Sequence, residues 1–132
     1  MASSYFTAPT TSTGPQPTFK QLKTLDTRKA ESQRVLNKFK DRIPVIVEKH
    51  GKCELRDLPK KKFLVPRDLT IQQFHFVVRK YVTLAPEKAL FLFIDNTLPM
   101  MTATMASIYD QHKDADGFLY VMYSSESTFG LS

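Results

Sequence analysis

Few side chains in this 132-residue sequence have the type and spacing to do chemistry. Cys53 follows His50 by three positions, and a cysteine beside a histidine can act as a nucleophile. The pair sits in the lysine-rich stretch "EKHGKCELRDLPKKK", and no third group is placed to orient the imidazole, so an incidental surface pair is the better reading. His75 lies between Phe74 and Phe76 on a helical pattern and reads as partly exposed; His112 stands apart. Zinc calls for more cysteines or histidines at ligand spacing, so no metal site is expected. A phosphate-cradling glycine loop is missing. "DADG", residues 114–117, resembles a fragment of a calcium loop without its closing glutamate, and reads as a turn. No catalytic residue is expected, and the chain does not read as an enzyme. One oddity is left. Gly130, one of only four glycines, stands two residues from the end in "SSESTFGLS". Either that end simply frays, or the end is itself the working part.

Bulk properties narrow the class. The length suits one domain, and 42% hydrophobic residues suit a modest core. A lone cysteine forms no internal disulfide, which points to a reducing compartment. The opening "MASSYFTAPTTSTGPQPT" has no basic start and no apolar run, so no secretory signal is expected. The longest strongly apolar run, "ALFLFI" at 89–94, is far short of the roughly 20 residues that cross a bilayer. Membrane attachment would have to be peripheral or covalent. The net charge of +6 is uneven: residues 19–62 hold fourteen Lys and Arg against six Asp and Glu, and residues 63–132 hold five against seven. A basic half fits an acidic partner: peptide, lipid headgroup, tubulin tail or nucleic acid. The bland alternative is a solvated basic face. Nucleic acid is the weakest of these partners, because the phenylalanines outside "KKKF" recur at core periods rather than as a stacking stripe.

These residues need elements to position them. Residues 1–18, rich in Ser, Thr and Pro, read as a disordered tail, and residues 125–132 as a flexible one, leaving 19–124 as the domain. Phe19, Leu22 and Leu25 form a short helical stripe. A longer helix follows, capped by Asp26 or Thr27, with Val35, Leu36 and Phe39 as its apolar face. "RIPVIVEK" is a strand with Ile43, Val45 and Val47 on one side, and Pro44 places its start beside an edge or bulge. "KKKFLVP", residues 60–66, is a second strand ended by Pro66 and joined to the first as a hairpin. Thr70 and Gln73 make a capping box for a helix through "LTIQQFHFVVRKYV". "ALFLFID" is a strand buried on both faces, Thr104 caps a short helix, and "FLYVMYS" is the last strand. The order is helix, helix, strand, strand, helix, strand, short helix, strand. It specifies an α+β class, one sheet against one helix, and fits a β-grasp among other α+β folds.

At "DRIPVIVEK", "KKKFLVP", "ATM" and "GFLYVMYSSESTFG" the sequence resembles the autophagy ubiquitin-like modifiers of the GABARAP and microtubule-associated light-chain-three type, over about residues 19–130. The resemblance implies a ubiquitin-like β-grasp with two additional N-terminal helices. It implies a cycle in which a processing cysteine protease cuts after Gly130, and activating and conjugating enzymes then pass the glycine carboxyl to phosphatidylethanolamine. No cofactor is implied beyond that covalent lipid. A further implication is capture of cargo receptors carrying an aromatic-x-x-aliphatic peptide. Pocket one would use Glu31, Val35, Pro44, Ile46, Lys62, Leu64 and Phe118. Pocket two would use Phe63, Val65, Pro66, Leu69, Phe74 and Val77. Arg42 and Lys60, with Lys62, would attract acids flanking the peptide core. Strand alternation agrees with the split, since Lys62 and Leu64 share one face and Phe63 and Val65 the other. Phe63, a large aromatic on a short edge strand among lysines, calls for a partner. Phe91, Leu92 and Phe93 correspond to a further family surface, but burial is their better reading. The implied location is the cytoplasm, and the autophagosome membrane when lipidated. The runner-up is a non-conjugated adaptor binding peptides or tubulin through the same grooves and basic helices. Three features depart from the family: the length of the 1–18 tail, Leu25 where phenylalanine is expected, and Arg79-Lys80-Tyr81 where three basic residues usually end the long helix.

Overall fold

The computed structural model describes residues 17–50 and 55–126. Cys53, Gly51 and Gly130 lie outside the described residues, as does most of both expected tails. Four helices and four strands follow in the order α1 (Phe19–Leu22), α2 (Leu25–Lys38), β1 (Arg42–Lys49), β2 (Lys62–Pro66), α3 (Ile71–Val82), β3 (Phe91–Phe93), α4 (Met105–His112) and β4 (Leu119–Ser124). This is the α+β order read from the sequence. The sheet order is β2-β1-β4-β3, with β1 and β4 parallel at its centre and the outer strands antiparallel to them.

Both faces of the sheet are covered, by different chemistry. Ile43, Val45 and Val47 of β1 join Leu119, Val121 and Tyr123 of β4 on one face, where Phe74, Val78 and Val82 of α3 and Met105 and Ile108 of α4 complete the main core. On the other face Ile46 meets Phe19 and Phe118, with Tyr120 alongside. The two rings meet edge to face, 5.3 Å between centroids.

Local signals set most helix starts. Thr70 Oγ1 accepts from the Gln73 N–H and the Gln73 side chain accepts from the Thr70 N–H, the expected capping box. Thr104 caps α4 through the Ser107 N–H. Thr18 and Gln21 box the start of α1 in the same way, and the Phe19 N–H donates to Glu48 Oε2 at 2.7 Å, which ties α1 to β1. For α2 the cap is Thr24, accepting from the Thr27 N–H, rather than Asp26 or Thr27.

The buried face of α2 differs from expectation. Its buried residues are Arg28 and Ser32; Val35 and Leu36 are half-buried and Phe39 is exposed. The reason is Asp116, whose side chain is fully buried in the "DADG" turn. Arg28 Nη1 lies 2.5 Å from Asp116 Oδ2, Tyr120 donates its hydroxyl to the same oxygen at 2.6 Å, and the Phe118 N–H donates to Oδ1. Ser32 Oγ donates to the Asp116 carbonyl. A buried carboxylate needs a cation and donors, so α2 docks through polar groups. Burial and the bond to Asp116 raise the Tyr120 hydroxyl pKa, and the bond to Asp116 raises that of Arg28.

Pro44 lies in an interior strand, beside the edge strand β2, at a point where β1 is not yet paired with β4. The Val47 N–H donates to the Lys61 carbonyl, so the odd-numbered residues of β1 exchange hydrogen bonds with β2. Pro44 therefore turns its nitrogen toward β4, one residue before that ladder begins at Val45 and Leu119. No ladder bond is lost.

The turn that holds Asp116 needs glycine. Gly117 has φ +92°, and a Cβ there would sit 2.3 Å from Ser32 Oγ. Gly117→Ala is expected to cost about 1–3 kcal/mol, seen as a lower urea midpoint with an unchanged slope.

Candidate functional site

The site is built on β2 because β2 is an edge. Odd-numbered β1 residues bond to β2, so the backbone groups of Phe63 and Val65 face β1 and those of Lys62 and Leu64 face outward. An outward row of this kind is a template for one more strand. Side chains alternate about the same edge. Lys62 and Leu64 lie opposite Ile46 and Pro44 on the α2 side, and Phe63 and Val65 lie opposite Val45 and Ile43 on the α3 side. Of the first set, Lys62, Leu64, Ile46 and Pro44 thus share one face, and Phe63 and Val65 of the second set share the other.

On the α2 side, Pro44, Ile46 and Phe118 are buried and can supply only a floor. The rim is Glu31, Val35, Lys62 and Leu64. The Glu31 carboxylate accepts a short charge-assisted bond from Lys62 and one of 2.9 Å from Lys23. Both ammonium groups also lie over the Phe19 ring, at 5.7 and 5.4 Å from its centroid. Burial pushes the Glu31 carboxyl pKa up, but the hydrogen bonds from the two lysines prevail and hold it below its ordinary value. Glu31 and Lys62 therefore act as one paired unit. Phe19 and Lys23 belong here too, and the sequence reading did not assign them. Phe19 in the first helical stripe was their one sequence signal.

On the α3 side, Val65 and Phe74 are core, while Pro66, Leu69 and Val77 are half-buried rim. Phe63 differs from expectation. It is only 7% exposed and already has its partners: edge to face it meets Phe74 at 5.9 Å and Tyr81 at 5.5 Å. A large aromatic on this edge strand is thus satisfied by α3. The two expected acid-attracting residues stand at opposite ends of β2. Lys60 precedes the strand, and Arg42 pairs with Pro66 at its far end, 3.5 Å from the Leu64 carbonyl. On β3, Leu92 and Phe93 are buried and Phe91 half-buried.

Other features offer less chemistry. His75 Nε2 lies 2.8 Å from the Leu90 carbonyl, on the flank of α3. Among the described residues no three His, Cys, Asp or Glu side chains group to hold a metal ion. A cavity of about 430 Å³ opens between α2 and the 114–117 turn, beside Lys29, Leu36, Tyr109 and Lys113; none of the predicted site residues lines it. The site thus provides an outward backbone row with a basic rim, and half-buried apolar side chains on each face, Val35 and Leu64 on one and Leu69 and Val77 on the other.

Comparison with known proteins gives a consistent result. The sequence model of the family described as autophagy protein Atg8 ubiquitin like matches residues 27–130. The chain is 56% identical over 113 residues to autophagy-related protein 8B of Oryza sativa subsp. japonica, covering 86% of this chain and 95% of that protein. To autophagy-related protein 8 of Saccharomyces cerevisiae (strain YJM789) it is 54% identical over 113 residues, covering 86% and 97%. Among solved structures it resembles Plasmodium falciparum Atg8 in complex with a P. falciparum Atg3 peptide, with a TM-score of 0.81, 32% identity and coverage of 86% and 100%. It also resembles Trypanosoma brucei ATG8, with a TM-score of 0.79, 44% identity and coverage of 85% and 97%.

The paired rim gives a pH prediction. With its folded-state value depressed, the Glu31 contribution is complete above the ordinary carboxyl range and is lost as pH falls through the lowered value. Glu31→Gln is expected to cost at most about 1 kcal/mol at neutral pH, because solvent screens the lysines. The gap from wild type should close as the solution is acidified, in urea titrations at successive pH values.

Proposed function

The chain belongs to the Atg8 family of ubiquitin-like autophagy proteins, and from that premise we propose that it is a modifier joined through Gly130 to phosphatidylethanolamine, which recruits peptide-bearing partners along β2. The observation that carries the peptide half is the outward row of backbone groups at Lys62 and Leu64, with half-buried apolar side chains on either face. A strand added there gains main-chain hydrogen bonds, and its alternate side chains enter the two pockets. The P. falciparum relative holding an Atg3 peptide supports this reading, and supports partnering with the conjugating machinery.

The conjugation half rests on family membership and on the match reaching Gly130. A cysteine protease adds water across the Gly130–Leu131 peptide bond, releasing Leu131-Ser132 and leaving a glycine carboxylate. Adenylation activates that carboxylate, and an enzyme thiol displaces AMP to form a thioester. The lipid amine then attacks the carbonyl and the thiol leaves. The reactive groups belong to the enzymes, and this chain supplies the acyl group. Glycine suits the position because without Cβ it passes a narrow channel and adopts geometries closed to other residues. Among the described residues no helix is long and apolar enough to cross a membrane. A lipid with two acyl chains would supply a stable anchor. The reading places the protein in the cytoplasm and, once lipidated, on autophagosome membranes.

Two outcomes follow. In cells, intact mass is expected to show loss of Leu131 and Ser132 followed by gain of a phospholipid. Gly130→Ala should abolish both; unchanged membrane recruitment of that variant would favour the non-conjugated adaptor. Leu64→Ala, on the half-buried rim, should weaken binding of an aromatic-x-x-aliphatic peptide about tenfold, or about 1.4 kcal/mol, by calorimetry. Leu64 is the cleaner probe, since Phe63→Ala would open the core between Phe74 and Tyr81.

A further inference from the structure

The last turn of α3 carries Arg79, Lys80 and Tyr81, and each has a different occupation. The Arg79 guanidinium donates to the carbonyls of Ala85, Pro86 and Lys88 at 2.9, 3.1 and 2.8 Å, clamping the loop that leads to β3. Lys80 lies over the exposed Phe76 ring, 5.2 Å from its centroid. Tyr81 alone turns to β2. Its ring stands edge to face with Phe63, and the Lys60 ammonium lies 4.7 Å from the Phe63 centroid and 5.5 Å from that of Tyr81. Tyr81 keeps 42% of its surface exposed.

We propose that Tyr81 is a specificity-determining residue of the β2 groove: with Phe63 and Lys60 it forms a rim that selects an apolar or aromatic side chain flanking the peptide core, where a basic residue at this position would select an acid. This rests on the peptide-binding reading of β2. The exposed ring offers apolar area immediately beside pocket two, and its packing on Phe63 fixes it before a ligand arrives, which reduces the ordering cost of binding. Lys60 lies over both rings, so the cation caps the aromatic pair while its charge stays in water. With Arg79 engaged by loop carbonyls and Lys80 over Phe76, Lys60 is the cation this rim offers to a flanking acid. One acid is therefore accommodated, and a run of acids gains little more. Contact with a ring is also insensitive to salt, unlike contact between charges.

The test uses the full chain and three synthetic peptides sharing one aromatic-x-x-aliphatic core. Each carries the same pair of residues on both sides of the core: Ala-Ala, Leu-Leu or Asp-Asp. Calorimetry on wild type is expected to show the Leu-flanked peptide about fivefold tighter than the Ala-flanked one, at low and at moderate salt alike. Tyr81→Phe should keep that preference. Tyr81→Arg, or Tyr81→Lys should the first fold poorly, should abolish it and raise affinity for the Asp-flanked peptide about fivefold at low salt. An equal Leu-to-Ala ratio in wild type, Tyr81→Phe and Tyr81→Arg, with all three peptides bound, would overturn the role of Tyr81 and leave the groove intact. Failure of the Ala-flanked peptide to bind wild type would overturn the groove reading and this inference together.

Discussion

The position of β2 at the sheet edge is the constraint on which the site depends. Because β1 is committed to β2 through its odd-numbered residues and to β4 through its even-numbered ones, the outer backbone groups of Lys62 and Leu64 have no backbone partner among the described residues, and the Leu64 carbonyl meets only the Arg42 guanidinium, at 3.5 Å. An open edge is normally a liability that proteins blunt with charge. Here Lys60, Lys61 and Lys62 provide the charge, Lys61 and Lys62 already paired with Glu48 and Glu31. On the proposed function, recognition by strand addition and protection against promiscuous pairing would share one basic edge.

The rest of the structure keeps that edge in register. Asp116 draws Arg28 and Ser32 of α2 onto the sheet, and the Phe19–Phe118 contact completes the same face beside it. This puts Glu31 within reach of Lys62, so a polar docking of α2 ties that helix to the edge strand. On the opposite face the main core holds α3 so that Phe74 and Tyr81 bracket Phe63. Two separate packing problems, one polar and one apolar, each fix one face of the same edge strand.

What was legible in the sequence follows from how local each signal is. The caps at Thr70 and Thr104, the alternation of Ile43, Val45 and Val47, and the hairpin through "KKKFLVP" need only near neighbours, and these were read correctly. The α2 cap was missed by a few residues because several Thr and Asp in "KTLDTRK" qualify equally. The buried face of α2 was misread because the group that demands Arg28 lies 88 residues away. Phe63 was read as a side chain in want of a ligand for the same reason, its partners arriving on a later helix. Pro44 marks the start of β1, where the β4-facing side is still unpaired and proline costs no ladder bond. The pocket residues came from a family resemblance. Sequence pattern alone assigns several of them to the core, and Ile46, Phe74 and Phe118 are buried there.

Strand addition at β2 can be observed directly. Amide hydrogen exchange by NMR, with and without a bound aromatic-x-x-aliphatic peptide, reports the backbone groups that the added strand would occupy. The account predicts that the outward amides of Lys62 and Leu64 become protected on binding, while those of Phe63 and Val65, already bonded to β1, change little. Saturating peptide with the Lys62 and Leu64 amides still exchanging freely would contradict it.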